Sequence, residues 1–269
     1  MTYVGPRNIY RTTVESIDAG RPCALALILK AEGSTPARTG MRAVIDASGK
    51  ILGTVGGGLL EAETQRRAVE ACRTGQAVVF DFSMRHERAE AGEAPLPICG
   101  GTLRLLVDPN CRLHRECFAR AADAPRRGER GALVTRIHTK IRPGAAHGSR
   151  AKDASHTEAA DVEVVWCTGA DPVPEAAEVR AGIESETPRL FVQSRGEGEP
   201  HVEVFVEPVV ANPHLVIAGG GHVGQAVARL AVDAGFDVTV VDDRPEFVEP
   251  GLFPPGVASF CGEFRDLPV

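Results

Sequence analysis

No apolar run in the 269 residues approaches the roughly 20 that a membrane-spanning helix needs, and no basic stretch followed by an apolar core opens the chain. A membrane protein is therefore not expected, and a cytoplasmic location is. Paired cysteines are missing as well. The seven cysteines, Cys23, Cys72, Cys99, Cys111, Cys117, Cys167 and Cys261, are odd in number and form no CxxC. That argues against both a zinc ribbon and a disulfide framework, so any functional cysteine is expected to act singly. Positive charge is not in excess either: 30 Lys and Arg face 36 Asp and Glu, for a net charge of -6. Such a balance leaves no electrostatic footprint for a nucleic-acid partner. There is no internal repeat.

What is present is apolar content of 43%, enough for a buried core, and length enough for two domains. A short helix is expected over Arg7 to Ala19. The continuous apolar run Cys23 to Leu29 reads as a strand buried on both faces. It leads into Gly33-Ser-Thr-Pro-Ala-Arg-Thr-Gly40, whose glycines and proline mark an exposed loop. Arg42 to Asp46 and Ile51 to Val55 form a hairpin across Ala47 to Lys50. Gly56-Gly57-Gly58 then opens a helix, with Leu59, Ala62, Val69 and Cys72 near one face and Gly75 as its stop. Further strands are expected at Val78 to Phe82, Leu103 to Val107, Ala132 to Ile141, Val162 to Trp166, Arg189 to Gln193 and Val202 to Val206, with a helix over Glu175 to Glu184. Arg142 to Ala160 reads as a mobile loop. The domain boundary falls near Asn212-Pro213, giving domains 1–211, with an insertion near 142–160, and 212–269.

The second domain opens as a Rossmann unit. Leu215 to Ala218 is a strand, Gly219-Gly-Gly221-His222-Val-Gly224 fits GxGxxG, Val223 to Ala234 is a helix carrying Val227, Leu230 and Ala231, and Asp237 to Val241 is a second strand. In this motif Gly219 permits the tight turn, Gly221 lets backbone approach a pyrophosphate, Gly224 lets helix meet strand, and the helix start favours anions. Asp242 stands where the ribose-binding acid is expected, while Arg244 would suit a 2'-phosphate, so NAD and NADP are both open. His222 either touches a phosphate or simply faces solvent. The chain ends before the remaining strands of such a domain, so the fold class expected is α/β, with a mixed α/β domain followed by a C-terminally truncated parallel βαβ unit.

The N-terminal domain has a comparable helix start. The amide groups after Ile51 to Val55, at Gly56, Gly57 and Gly58, suit an anionic group. Glu61 either caps those amides or binds a ligand donor. Ser34, Thr35 and Arg38 either hydrogen-bond a phosphate or polar heterocycle or serve the turn alone. Cys99-Gly100-Gly101 precedes a strand, where the Cys99 thiol is either a ligand or a buried structural residue.

Taken in order, Gly33 to Pro36, Gly53 to Gly58 with Glu61, Cys99 to Gly101, Val204-Phe-Val-Glu-Pro208, and Gly219 to Gly224 with Val238 to Pro245 resemble the XdhC/CoxI family. The resemblance covers Arg21 to Asp108 and Val202 to Phe253. Members are accessory proteins of molybdenum hydroxylases such as xanthine dehydrogenase. The resemblance implies binding of the molybdenum cofactor (molybdopterin), protection during its sulfuration by a cysteine desulfurase, and delivery to the apo-hydroxylase, with a homodimer and no turnover reaction. Molybdopterin ends in a phosphate that a glycine-rich helix start can receive, and a soft Cys99 thiolate could meet molybdenum. Three departures stand out. Ala37 precedes Arg38 and Met41 precedes Arg42, where members commonly have Pro-Arg followed by a basic residue and Met. Leu59 stands where many have Cys. Members also continue through further Rossmann strands. The competing readings are an NAD(P)-dependent oxidoreductase, which would need a substrate site and proton donor not located here, a nucleotide or redox sensor regulating a hydroxylase, and a fragment of a longer protein.

Overall fold

The computed structural model describes residues 9–84, 100–139, 157–193, 202–209, 213–263 and 265. They fall into two compact units, one within 8–210 and one within 211–269.

In the first unit the elements are α1 (Ile9–Asp18), β1 (Cys23–Glu32), β2 (Arg42–Asp46), β3 (Ile51–Gly53), α2 (Gly58–Thr74), β4 (Ala77–Ser83), β5 (Thr102–Asp108), α3 (Arg115–Asp123), β6 (Gly131–Thr139), β7 (Thr157–Cys167), α4 (Ala176–Ser185), β8 (Arg189–Gln193) and β9 (Val202–Val209). All nine strands join one sheet in the order β3-β2-β1-β5-β4-β7-β6-β9-β8, with antiparallel neighbours throughout.

The sheet is rolled. β2 and β9 lie six places apart in that order, roughly 29 Å in a flat sheet at ~4.8 Å per strand. Yet Arg42 of β2 forms an ion pair with Glu207 of β9, and Gly40 lies against Pro188 just before β8. Alternation along the strands then divides the residues in two. Leu27, Leu29, Leu106, Ile137 and Phe205 point into the rolled interior, and α1 and α3 close over it with Tyr10 and Phe118. Ala24, Ala26, Ile28, Ala43 and Ile45 point outward onto α2, while α4 covers Val134, Val204 and Val206. β1 is therefore buried on both faces, which is why its sequence shows no alternation.

Two expectations change. The α2 face that packs is Leu60, Thr64, Arg67, Ala68 and Ala71, not the one carrying Leu59 and Val69, which are exposed. An arginine can sit on that face because its guanidinium lies 3.9 Å from the Phe80 ring centroid and pairs with Glu63 at 2.6 Å, so the charge is compensated where the stem is buried. Thr157 to Ala160, expected within a loop, begins β7, because it pairs with Phe80 back to Ala77 of β4; residues 142–156 lie outside the described residues. Cys23 and Cys111 are both free and buried, and the Cys111 thiol donates to the Asp108 carbonyl at 3.2 Å.

The second unit holds β10 (His214–Ala218), α5 (His222–Asp233), β11 (Asp237–Asp242) and β12 (Ala258–Cys261). The three strands form a parallel sheet in the order β10-β11-β12, and α5 packs Ala228 and Ala231 against Ile217, Val238 and Val240. Of the apolar residues singled out on this helix, Ala231 is buried while Val227 and Leu230 are exposed; Gly224, Ala228 and Ala231 form the packed face, which lets the helix approach the sheet closely. No helix among the described residues is long and apolar enough to cross a membrane.

Candidate functional site

Three glycine-bearing segments far apart in the chain meet in the first unit. The loop between β1 and β2 lies at the centre. On one side it touches the segment before β5: a Cβ on Gly101 would come within 2.6 Å of the Glu32 carbonyl oxygen, 2.9 Å of that of Ser34 and 3.1 Å of Thr35, and a Cβ on Gly33 within 3.2 Å of the Gly101 Cα. On the other side it touches the turn before α2, where a Cβ on Gly56 would come within 2.9 Å of the Ala37 Cβ. Only glycine allows these backbones to close together. Ser34, Thr35, Gly100, Gly101 and Gly56 are thus brought into one neighbourhood, with Arg38 exposed next to Ala37. Cys99 lies outside the described residues.

The start of α2 completes this neighbourhood. Gly56, Gly57 and Gly58 all have positive φ, at +117°, +81° and +61°, a region that L side chains rarely adopt. The N-cap Gly57 supplies no side-chain cap, and a Cβ on either Gly57 or Gly58 would meet nothing within 4 Å. Glu61 turns back toward the preceding strand. Its Oε1 accepts from the Thr54 hydroxyl at 2.6 Å and from the Val55 amide at 3.3 Å, while the Thr54 Oγ1 accepts from the Gly56 amide at 3.1 Å. Glu61 therefore braces the turn, and the open amide end of a 17-residue helix is left facing solvent. A helix start of this kind attracts an anion through its amides and its dipole. Thr54 was not singled out in the sequence because its partner lies seven positions on, outside the usual capping spacing.

Inside the loop, the Thr35 Oγ1 accepts from the Ala37 amide at 3.1 Å and the Thr39 Oγ1 from the Ala31 amide at 3.2 Å. The Thr35 hydroxyl thus serves the turn, while its own proton remains to donate. Ser34 is exposed.

In the second unit Gly219 has φ +106°, and its amide donates to the Val241 carbonyl at 2.7 Å, tying the turn to β11. Gly224 packs on the Gly219 carbonyl and Ile217. Gly221 caps α5 with open space before it, and His222 is exposed beside it. Gly220, which spacing gave no role, lies directly against the Phe247 carbonyl.

The Asp242 carboxylate is engaged within the chain. It is buried and accepts from the Gly220 amide at 2.8 Å, the Arg244 amide at 3.0 Å, and Arg244 Nε and Nη2 at 3.0 and 3.1 Å. The Arg244 guanidinium and these amides hold the Asp242 pKa well below the usual carboxylate range. Arg244, also stacked 4.0 Å from the Phe247 ring centroid, covers the Asp242 carboxylate while its own side chain stays largely exposed. Asp243 is the exposed acid at this strand end.

The XdhC and CoxI family model matches residues 16–83, and the XdhC Rossmann domain model matches residues 215–261. Over 230 residues, 86% of this chain, the sequence is 21% identical to a Bacillus subtilis protein named as a probable subunit of xanthine dehydrogenase. A stretch of 62 residues, 23% of the chain, is 39% identical to the uncharacterized protein YqeB of Escherichia coli. The chain spans 62% of the length of the first relative and 12% of the second. A Bacillus halodurans crystal structure, described as a xanthine dehydrogenase, shares the fold with a TM-score of 0.64 at 18% identity, over 96% of this chain and 71% of that one. Both models match in order, the first across the loop and helix start and the second across the glycine turn, so the chain is similar to the XdhC/CoxI family in each of its two units.

Proposed function

We propose that this protein is an accessory factor of a molybdenum hydroxylase of the xanthine dehydrogenase type, which binds the molybdenum cofactor as cargo, shelters it while a cysteine desulfurase supplies sulfur, and passes it to the apo-hydroxylase. One observation carries the reading. Gly33 to Arg38, Gly56 to Gly58 and Gly100-Gly101 fold into a single neighbourhood around an α2 helix start with open space at Gly57 and Gly58. The residues fit the chemistry of the cargo. The helix amides suit its phosphate, and the Thr35 and Ser34 hydroxyls and the Arg38 guanidinium offer donors to a polar heterocycle. The family relation, and the relative named for xanthine dehydrogenase, support the choice of partner. A second copy of the chain completes the assembly proposed.

The test is retention. The purified full chain is mixed anaerobically with molybdenum cofactor freshly released from a hydroxylase and passed over a sizing column, and the protein peak is assayed for molybdenum and for pterin fluorescence. Comparable molar amounts of chain, metal and pterin are expected together. A peak free of both overturns the proposal.

A second reading attaches to the Rossmann unit. Gly221 leaves open space at the start of the 12-residue α5, which suits the phosphate of a nucleotide that would report redox or energy state to the same assembly. Calorimetry with NADH, NADPH and ATP separates this from an unliganded structural role. Hydride transfer, the oxidoreductase alternative, would appear as substrate-dependent loss of NADH or NADPH absorbance.

A further inference from the structure

Arg42 lies at the join between the candidate loop and the rolled sheet. Its Nε and Nη2 donate to the Gly40 carbonyl at 3.2 and 3.0 Å, and Nη2 also meets the Glu207 carboxylate. Its guanidinium lies 4.6 Å from the Tyr10 ring centroid. The remaining nitrogen, Nη1, is buried without a hydrogen-bond partner among the described residues. It borders a cavity of about 20 Å³ lined by Tyr10, Thr135 and Glu207 among others, enough for one bridging water. Burial works against both charges, raising the Glu207 pKa and lowering that of Arg42, and the contact between them is what opposes this.

Gly40 is the point where the loop re-enters the sheet. Its φ is +87°, its amide donates to the Ile28 carbonyl at 2.8 Å, and the Ile28 amide donates to the Met41 carbonyl at 2.9 Å. A Cβ on Gly40 would come within 3.2 Å of Pro188. The carbonyl held by Arg42 is therefore at the end of the segment that carries Ser34, Thr35 and Arg38, and Arg42 is held in turn by a carboxylate from β9, six places away in the rolled sheet.

We infer that Glu207 is a positioning residue for the cofactor loop, acting through Arg42, which it holds inside the rolled sheet so that the guanidinium fixes the Gly40 carbonyl and sets the loop against Gly56 and Gly101. This rests on the proposed function only for what the loop binds; the positioning itself does not depend on it. The alternative is a purely structural ion pair that stabilises the whole unit equally. A buried pair of this kind contributes little net stability compared with apolar residues of the same volume, so a local role is the better account of why charges occupy the interior.

The experiment measures amide hydrogen exchange by NMR in the full chain. In Glu207→Gln, exchange at Gly40 and Met41 is expected to rise at least about tenfold relative to Ala68 and Ala71 of α2, and Glu207→Asp restores most of the protection. Should Glu207→Gln fail to fold, the double variant Arg42→Met with Glu207→Leu removes both buried charges, and it is expected to fold with the same fast exchange at Gly40 and Met41. Unchanged exchange there, or an equal rise throughout α2, overturns the inference. Cofactor retention is read on the same samples. Retention absent in the unsubstituted chain counts against the proposed function alone, whereas retention that persists in Glu207→Gln despite a mobile Gly40 overturns the link between positioning and binding.

Discussion

The Gly220 amide and the Asp242 carboxylate are joined by a 2.8 Å hydrogen bond across the glycine turn, so the acid at the end of β11 holds the turn in shape. Because its folded pKa is depressed below the ordinary 3.8, its contribution is complete above that value and is lost as pH falls through the folded pKa. Asp242→Asn is expected to lower the thermal midpoint of the second unit at about pH 7, with the gap to the unsubstituted chain narrowing toward about pH 2. A gap that stays constant across that range would remove the charge from the explanation.

Gly101 and Gly100 are neighbours with opposite demands. A Cβ at Gly101 meets carbonyl oxygens of Glu32 and Ser34, while one at Gly100 meets nothing within 4 Å. Gly101→Ala is therefore expected to destabilise the first unit by about 1–3 kcal/mol in urea unfolding, and Gly100→Ala to change it by less than about 0.5 kcal/mol. Equal effects would mean that the loop and the β5 segment do not meet as described.

Leu59 is 62% exposed in the first turn of α2. Placing an acid at Gly57 would confound charge with strain, since Gly57 has φ 81° and ψ 177°, a conformation nearly restricted to glycine. Leu59→Asp avoids this. A carboxylate there complements the helix dipole and leaves stability unchanged or raises it by about 0.3–1 kcal/mol, yet it repels an incoming phosphate. Reduced cofactor retention in a protein of equal or higher thermal midpoint is the expected result, and full retention would take the helix start out of the site.

Arg67 connects α2 to the sheet through Phe80 and a contact with the Thr157 hydroxyl, and pairs with Glu63 on its own helix. Arg66, one residue away, pairs with Glu63 from an exposed position. Together the two arginines, Arg66 foremost, hold the Glu63 carboxyl down to about 2. Arg67→Met should cost about 1–3 kcal/mol in urea unfolding through the lost ring contact and buried hydrogen bonds, and Arg66→Ala under about 1 kcal/mol. The reverse order would contradict the buried placement of Arg67.

Among the described residues, Cys261 is the exposed cysteine and Cys72 and Cys167 are more enclosed. Burial pushes the thiols of the latter two up to about 11. Alkylation of the native protein at about pH 8, followed by mass spectrometry, should label Cys261 at least about tenfold faster than Cys72 or Cys167. Comparable rates would indicate opening of the first unit.

Legibility in the sequence followed chain distance. The strand, glycine turn, helix and second strand of the second unit lie within a few tens of residues, and each step has a local cause: Gly219 for the turn, Gly224 for the close helix, Gly221 for the cap. The helix faces were less legible. The packed positions are Leu60, Thr64, Arg67, Ala68 and Ala71 in α2 and Gly224, Ala228 and Ala231 in α5, whereas the apolar Leu59, Val227 and Leu230 are exposed. Close packing selects small or compensated side chains, which hydrophobic periodicity does not register.

The sequence by itself determined which segments are glycine turns at helix starts, because backbone freedom and amide geometry are local properties of Gly56 to Gly58 and Gly219 to Gly224. Only the tertiary structure decided that Gly33, Gly56 and Gly101 close on one loop, that Thr157 to Ala160 is a strand, that Asp242 faces inward, and that Glu207 reaches Arg42. The first three depend on which backbone segments pack or pair across long stretches of chain. The last depends on a nine-stranded sheet rolling far enough to bring its second and eighth strands together, and no local spacing encodes that curvature.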